Sequence, residues 1–257
     1  MAEPGREFEM LLELVARLRS EDGCPWDREQ TPATIKRYLL EEVYEVVDAV
    51  EHRHADQVAD ELGDLIFMTI FLAHLYVEQD LFQMEQVLSR VAEKMIRRHP
   101  HVFGNRQVDS AGQVKLNWEE IKRQERPYKP VSEVLDAVPR ALPSLMRSYR
   151  ILSRLGRNLR RPLNQDILRS QLSQSFSILL QQDVSENGSP SQAILGNLLL
   201  LLVAFGLHED IRAEEALASG LERFCAQVER VEASLNAAGK EWQDLSDAEE
   251  LSLWENL

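Results

Sequence analysis

Residues 34–72, TIKRYLLEEVYEVVDAVEHRHADQVADELGDLIFMTIFL, carry two apolar stripes separated by a short polar break. The first stripe is Ile35, Leu39, Val43, Val46, Val47 and Val50. The second is Val58, Leu62, Leu65, Ile66 and Leu72. Steps of three and four place each set on one side of an α-helix. The connection, His52 to His54, is short enough to make the two helices antiparallel neighbours. At ~100° per residue, Val43, Val46 and Val50 lie near the centre of the first apolar face. Leu62, Leu65 and Thr69 mark the expected core face of the second helix.

The same hairpin carries acidic residues in a pattern. Glu42 and Glu45 stand three apart on one flank of the first helix, and Glu61 and Asp64 stand three apart on the matching flank of the second. Residues at that spacing reach a common point. In an antiparallel pair the two flanks either face each other or both face away. The hand of the hairpin decides between these outcomes. If they face away, the acids form an ordinary solvated surface. If they converge, four close negative charges cannot all stay ionised without a partner. An all-oxygen cluster suits a hard cation such as Mg²⁺ or Mn²⁺. Glu41 lies further toward the polar side, where it either orients a water or ligand group or is solvated.

Outward from the hairpin, helical spacing recurs and no segment alternates with period two. Phe8, Leu11, Leu12, Val15 and Leu18 form an N-terminal stripe, ended by Gly23 and Pro25. Thr34, or Thr31 before Pro32, can cap the hairpin's first helix. A helix with Met84, Val87, Leu88, Val91 and Met95 ends near His99-Pro100. Residues 100–140 hold Gly104, Gly112, Pro127, Pro130 and Pro139, with one short helix expected around Trp118 to Gln124. Helical spacing resumes at Leu142 and continues through Ile167–Leu180, Ile194–Leu207 and Ala213–Leu235, with a polar loop at Asp183–Pro190.

The second half reads as a decayed copy of the first. Glu61-Leu62-Gly63-Asp64-Leu65 is answered by Ile194-Leu195-Gly196-Asn197-Leu198, and Tyr44 by Phe176. Ser173, Gln174 and Ser177 stand where the first half has its glutamates. The expected organisation is all-α with two tandem helical bundle repeats, the second degenerate. The expected boundaries are 1–126 for the domain that carries the acids, 127–140 for a linker and 141–257 for the degenerate copy.

Composition limits the function. The 257-residue chain is 44% hydrophobic and 28% charged, a globular balance. Its net charge of -14 argues against a general nucleic-acid binder, which needs a basic face. Acidic side chains still allow an anionic substrate when a divalent cation bridges to it. Cys24 and Cys225 fit a reducing compartment, and neither has a sequence-adjacent His partner that would make it a nucleophile. Met1 to Arg6 lack a signal-peptide apolar core. The most apolar run, Ala193–Leu207, is too short at about 15 residues for a confident membrane span and reads as a buried helix. The expected location is the cytoplasm, with no membrane partner.

With these residues in view, the chain resembles the MazG family of nucleoside triphosphate pyrophosphohydrolases. Glu41-Glu42-x-x-Glu45 followed by Glu61-x-x-Asp64 looks like the family's metal-binding signature. Cys24-Pro25-Trp26-Asp27, Arg97-Arg98-His99-Pro100-His101-Val102-Phe103, Asn117-Trp118-Glu119 and Ala141-Leu142-Pro143-Ser144-Leu145-Met146 resemble further family motifs. Together they span most of residues 8–150. The resemblance implies an all-helical enzyme that cleaves a nucleoside triphosphate between the α and β phosphates. It implies Mg²⁺, with Mn²⁺ as a substitute, on Glu42, Glu45, Glu61 and Asp64. It places Lys94 and Arg98 on the phosphates, and Trp118 and Lys122 on the nucleotide. It also implies a homodimer.

Each of these groups has a plainer role open to it. Lys94 and Arg98 suit the negative end of a helix. Trp118 and Trp26 suit packing, and His99 and His101, which flank Pro100 and are able to bind metal, better suit capping or packing. The second half departs from the family's two-site pattern at Ile194 and Asn197, and no Lys follows Trp254. Three functions stay open at this point: broad removal of nucleotides, including non-standard or damaged ones; a narrower dUTP-, dCTP- or phosphoribosyl-ATP-type pyrophosphohydrolase; and a non-catalytic nucleotide-binding regulator.

Overall fold

A computed structural model describes residues 4–52, 54–125, 130–159, 164–181 and 189–255. Residues 127–129 of the expected linker and 183–188 of the expected polar loop lie outside them, as does the side chain of Trp254. The described residues form helices and connecting turns, without a strand. The chain divides into two compact units, Met1–Glu125 and Arg126–Leu257.

The first unit begins with α1 (Pro4–Arg19) and the short α2 (Pro25–Glu29). The turn between them needs Gly23. A Cβ there would sit 2.2 Å from the Leu18 carbonyl oxygen, which accepts the Cys24 N–H at 2.8 Å. α3 (Pro32–His52) and α4 (Ala55–Val77) form the hairpin. Thr31 caps α3: its Oγ1 accepts from the Thr34 N–H at 3.3 Å, and Thr34 Oγ1 accepts from the Thr31 N–H at 2.9 Å. α5 (Met84–Arg98), the single turn α6 (Pro100–Phe103) and α7 (Ala111–Gln124) complete the unit. The short helix expected at Trp118–Gln124 is thus the C-terminal part of a longer one.

The core lies at the open end of the hairpin. Val15 of α1, Ile35 of α3, and Ile70, Phe71 and Leu75 of α4 are buried together, with Phe8, Leu11, Leu12, Tyr38, Phe67, Leu72 and Met84 packed around them. Arg19 fastens this end. Its Nε and Nη2 donate to the two Glu78 carboxylate oxygens at 2.7 Å each. Its Nη1 donates to the Asp27 and Gln30 carbonyls, and its guanidinium lies over the Phe71 ring. Arg19 hydrogen bonds hold the Glu78 carboxyl below its ordinary range despite partial burial. One side chain therefore ties α1, α2 and α4 together.

Toward the turn, the expected core face is corrected. Val43, Val47, Val50, Leu62 and Ile66 are exposed, Val50 at 65%, and so is Thr69. Periodicity identified an apolar face but not what covers it. Within the first unit, α1 reaches only the open end of the hairpin.

The second unit starts with α8 (Val131–Asp136) and α9 (Ser144–Asn158). α8 falls in the stretch expected as linker. It packs on α9, where Arg154 Nη1 donates to the Val134 carbonyl at 2.9 Å, and Val138 just after it is 1% exposed. α10 (Gln165–Gln181) and α11 (Ser189–His208) make a second hairpin. α12 (Ala213–Ala238) crosses back to α9: Glu214 accepts the Met146 N–H at 3.1 Å, and the Arg212 guanidinium stacks on Tyr149 at 4.0 Å. Gly239, at φ 66°, closes α12 in the left-handed conformation that costs glycine least. α13 (Asp247–Glu255) follows. The expectation of a buried helix over Ala193–Leu207 holds on one side only. Leu198, Val203 and Ala204 are buried, whereas Leu195, Leu199, Leu200 and Leu202 are exposed. Among the described residues no single helix is long and apolar enough to cross a membrane.

Candidate active site

The α3–α4 hairpin sets its acids at matching heights. Glu45 lies seven residues before the end of α3, and Glu61 six residues after the start of α4. At 1.5 Å per residue both sit about 10 Å from the turn, with Glu42 and Asp64 about one helical turn further on. The hand of the hairpin brings the flanks together. Oxygens of Glu42, Glu45 and Glu61 all lie within 4.8 Å of one another. Asp64 is exposed on the next turn, close enough for its charge to act on Glu42. Glu41 is exposed.

Glu42 is the inner member. Its Oε2 is buried and has no hydrogen-bond partner among the described residues. Its carboxyl is pushed above the ordinary value, first by burial and then by the charges of Glu45, Asp64 and Glu61. A buried carboxylate oxygen beside three more acids is compensated either by a proton, as the raised Glu42 value shows, or by a cation that takes the proton's place. The donors are all carboxylate oxygens, which select hard divalent ions over the softer metals that prefer thiolate or imidazole. The residues therefore fit a Mg²⁺- or Mn²⁺-type ion.

A second cluster joins α5, α6 and α7. The Arg98 guanidinium lies 5.3 Å from the Trp118 ring centre, and His99 meets the same ring edge-on at 4.9 Å. His99 Nδ1 lies 2.6 Å from the Met95 carbonyl oxygen and must carry the proton to bond it, so His99 caps α5. Lys94 is half-buried one turn before Arg98. Lys122 Nζ donates to Glu119 at 3.2 Å. Trp118, expected as an open stacking face, is half-buried between Arg98 and His99.

Sequence reasoning missed Glu125. Its carboxylate accepts from both Arg97 and Arg98, and their hydrogen bonds hold it down at about 2. Twenty-seven residues separate it from Arg98, so no helical spacing could have linked them. A groove of about 730 Å³ lies in the second unit, lined in part by Arg230, Ser234, Lys240 and Glu249. It lacks a converging set of acids. Among the described residues, the carboxylates that converge closely enough to hold an ion are those of α3 and α4.

Hairpin and cluster define an all-helical scaffold with a carboxylate cluster close enough to hold a cation. Comparison with known proteins gives that class its family. Residues 30–103 match the MazG nucleotide pyrophosphohydrolase domain. The chain is 34% identical over 264 residues to the nucleoside triphosphate pyrophosphohydrolase of Escherichia coli K12, covering 98% of this chain and 97% of that one. It is 31% identical over 259 residues to the nucleoside triphosphate pyrophosphohydrolase/pyrophosphatase MazG of Thermotoga maritima, covering 99% and 97%. A crystal structure of a MazG-related protein from Thermotoga maritima shares 29% identity at a TM-score of 0.40, covering 45% of this chain and 98% of that one. The chain belongs to the MazG family of nucleotide pyrophosphohydrolases.

Proposed function

We propose that the chain hydrolyses nucleoside triphosphates to the monophosphate and pyrophosphate, with Mg²⁺ as the working ion and Mn²⁺ able to replace it. The observation that carries this is the convergence of Glu42, Glu45 and Glu61 around an unpartnered, buried Glu42 oxygen. The names of near-full-length relatives supply the reaction class. Glu42, Glu45, Glu61 and Asp64 hold the ion. When bound, it neutralises charge on the phosphoryl oxygens and lowers the pKa of coordinated water. Glu41, exposed at the edge of the acids, orients water. Lys94 and Arg98 contact the phosphate tail. Trp118 and Lys122 bind the nucleotide, and stacking on the part of the half-buried Trp118 ring that Arg98 and His99 leave open favours a broad range, including non-standard and damaged nucleotides.

The same reading assigns residues 1–126 to catalysis, 127–140 to connection and 141–257 to a silent repeat. The exposed valines of α3 suit a second copy of this chain, making a homodimer, since an apolar stripe of this kind gains by leaving water. A cytoplasmic setting fits the two free cysteines.

The test is product analysis over a panel of ribo- and deoxyribonucleoside triphosphates with Mg²⁺. Pyrophosphate and monophosphate in equal amounts are expected. Orthophosphate as the sole phosphorus product excludes cleavage between the α and β phosphates.

A further inference from the structure

Glu125 follows directly on α7, where an anion faces the negative end of the helix. That placement is unfavourable unless cations offset it, and the last turn of α5 provides two. Arg97 Nε donates to Glu125 Oε1 at 2.8 Å. Arg98 donates to Oε2 through Nε at 3.1 Å and Nη2 at 2.6 Å. The Arg98 side chain is 15% exposed and that of Glu125 18%, against 55% for Arg97. Arg98 is the member enclosed by protein.

The two contacts on Arg98 use different parts of it. Glu125 takes the Nε–Nη2 edge and Trp118 takes a face. Nη1 donates to none of the described residues. A guanidinium has five N–H donors in a rigid fork. Fixing one edge and one face removes side-chain freedom before a ligand arrives and leaves the Nη1 donors unspent among the described residues. Ordering a side chain in advance spares that cost at binding.

We propose that Glu125 is a positioning residue for the substrate: it holds Arg98 against Trp118 so that Nη1 is left for the triphosphate. This rests on the reading of Arg98 as a phosphate contact. A carboxylate on this arginine has two opposite possible effects, and they differ in sign. A positioning carboxylate strengthens substrate binding. A carboxylate that occupies the phosphate position competes with substrate and weakens binding. An Nη1 edge that donates to none of the described residues favours the first.

The experiment measures kcat and KM for pyrophosphate release from ATP at saturating Mg²⁺ with the full chain. The variants are Glu125→Gln, Glu125→Ala, Arg98→Ala and the Glu125→Ala/Arg98→Ala double. Glu125→Ala is expected to raise KM about tenfold and leave kcat within about twofold, with a smaller rise of about threefold in Glu125→Gln. In the Arg98→Ala background, Glu125→Ala should add nothing to KM. A carboxylate that merely ties α7 to α5 would instead lower the unfolding temperature and leave KM for ATP unchanged. A fall in KM for Glu125→Ala, or an additive rise in the double variant, overturns the proposal. A raised KM in Arg98→Ala beside an unchanged KM in Glu125→Ala defeats the positioning role alone. An unchanged KM in Arg98→Ala defeats the phosphate role of Arg98, and the positioning role with it.

Discussion

The hairpins α3–α4 and α10–α11 solve the same packing problem with different chemistry. Each joins two long helices, and each leaves apolar residues exposed on one side: Val43, Val47 and Val50 in the first, Phe176, Leu195, Leu199 and Leu202 in the second. In the first, Glu42, Glu45, Glu61 and Asp64 occupy a flank. In the second, the proposed repeat sets Ser173, Gln174, Ser177, Ile194 and Asn197 opposite the acidic positions, Glu41 included. A helical hairpin therefore does not need the acids to form. They act against it, because burial and like charge push the Glu42 carboxyl upward. Groups kept at that cost point to a ligand rather than to packing.

The sharpest way to break the comparison is to make the first hairpin resemble the second. Glu45→Gln keeps the shape of the side chain and removes a charge. Turnover should fall on the order of 100-fold or more, while helix content by circular dichroism stays unchanged. Full activity in this variant would place the chemistry elsewhere.

Cation binding gives a second, smaller contrast. Glu42 has a folded pKa above the ordinary value of 4.5. Its contribution to stability is thus fully present below 4.5 and is lost as pH rises through the folded value. Above that point a bound cation replaces the proton. Mg²⁺ at 100 times its dissociation constant should stabilise the first unit by about 2.7 kcal/mol near pH 8, and by much less near pH 4.5. Differential scanning calorimetry with and without Mg²⁺ at the two pH values checks this. An equal or larger gain at low pH would contradict it.

The exposed apolar stripes offer a third contrast. Val47→Asp, at a position 48% exposed within the single chain, should spare the fold. It should weaken homodimer association about tenfold, through a charge set in an apolar contact. Light scattering across a concentration series reads this directly, and an unchanged dimer would put the interface on another face. The smallest effect is expected on the other side of the comparison. Asn197→Ala should change turnover by less than about twofold, and a large loss of metal dependence there would give the second hairpin a role in the chemistry.

Much of this was legible in the residues. Apolar spacing located α1, α3, α4, α5 and the four long helices of the second unit. The pairs Glu42/Glu45 and Glu61/Asp64 stood out because helical spacing is local. Their convergence was not legible, since it depends on the hand of a hairpin, and one sequence allows both hands. The exposure of Val43, Val47 and Val50 was hidden for a related reason: an apolar face has the same periodicity whether its cover comes from α1 or from outside the unit. Trp118 read equally well as a stacking face or a packed ring until α5 and α7 were placed together. Glu125 carried no signal, because its partners come from a helix distant in sequence.

The central claim is that the carboxylates of α3 and α4, and not the second hairpin, hold the ion. Its most direct test is a Mn²⁺ titration of the full chain followed by the electron paramagnetic resonance signal of free Mn²⁺. Saturable binding is expected in the native sequence and in Asn197→Ala, with its loss in the double variant Glu42→Gln/Glu45→Gln. Saturable binding that survives in the double variant would contradict it.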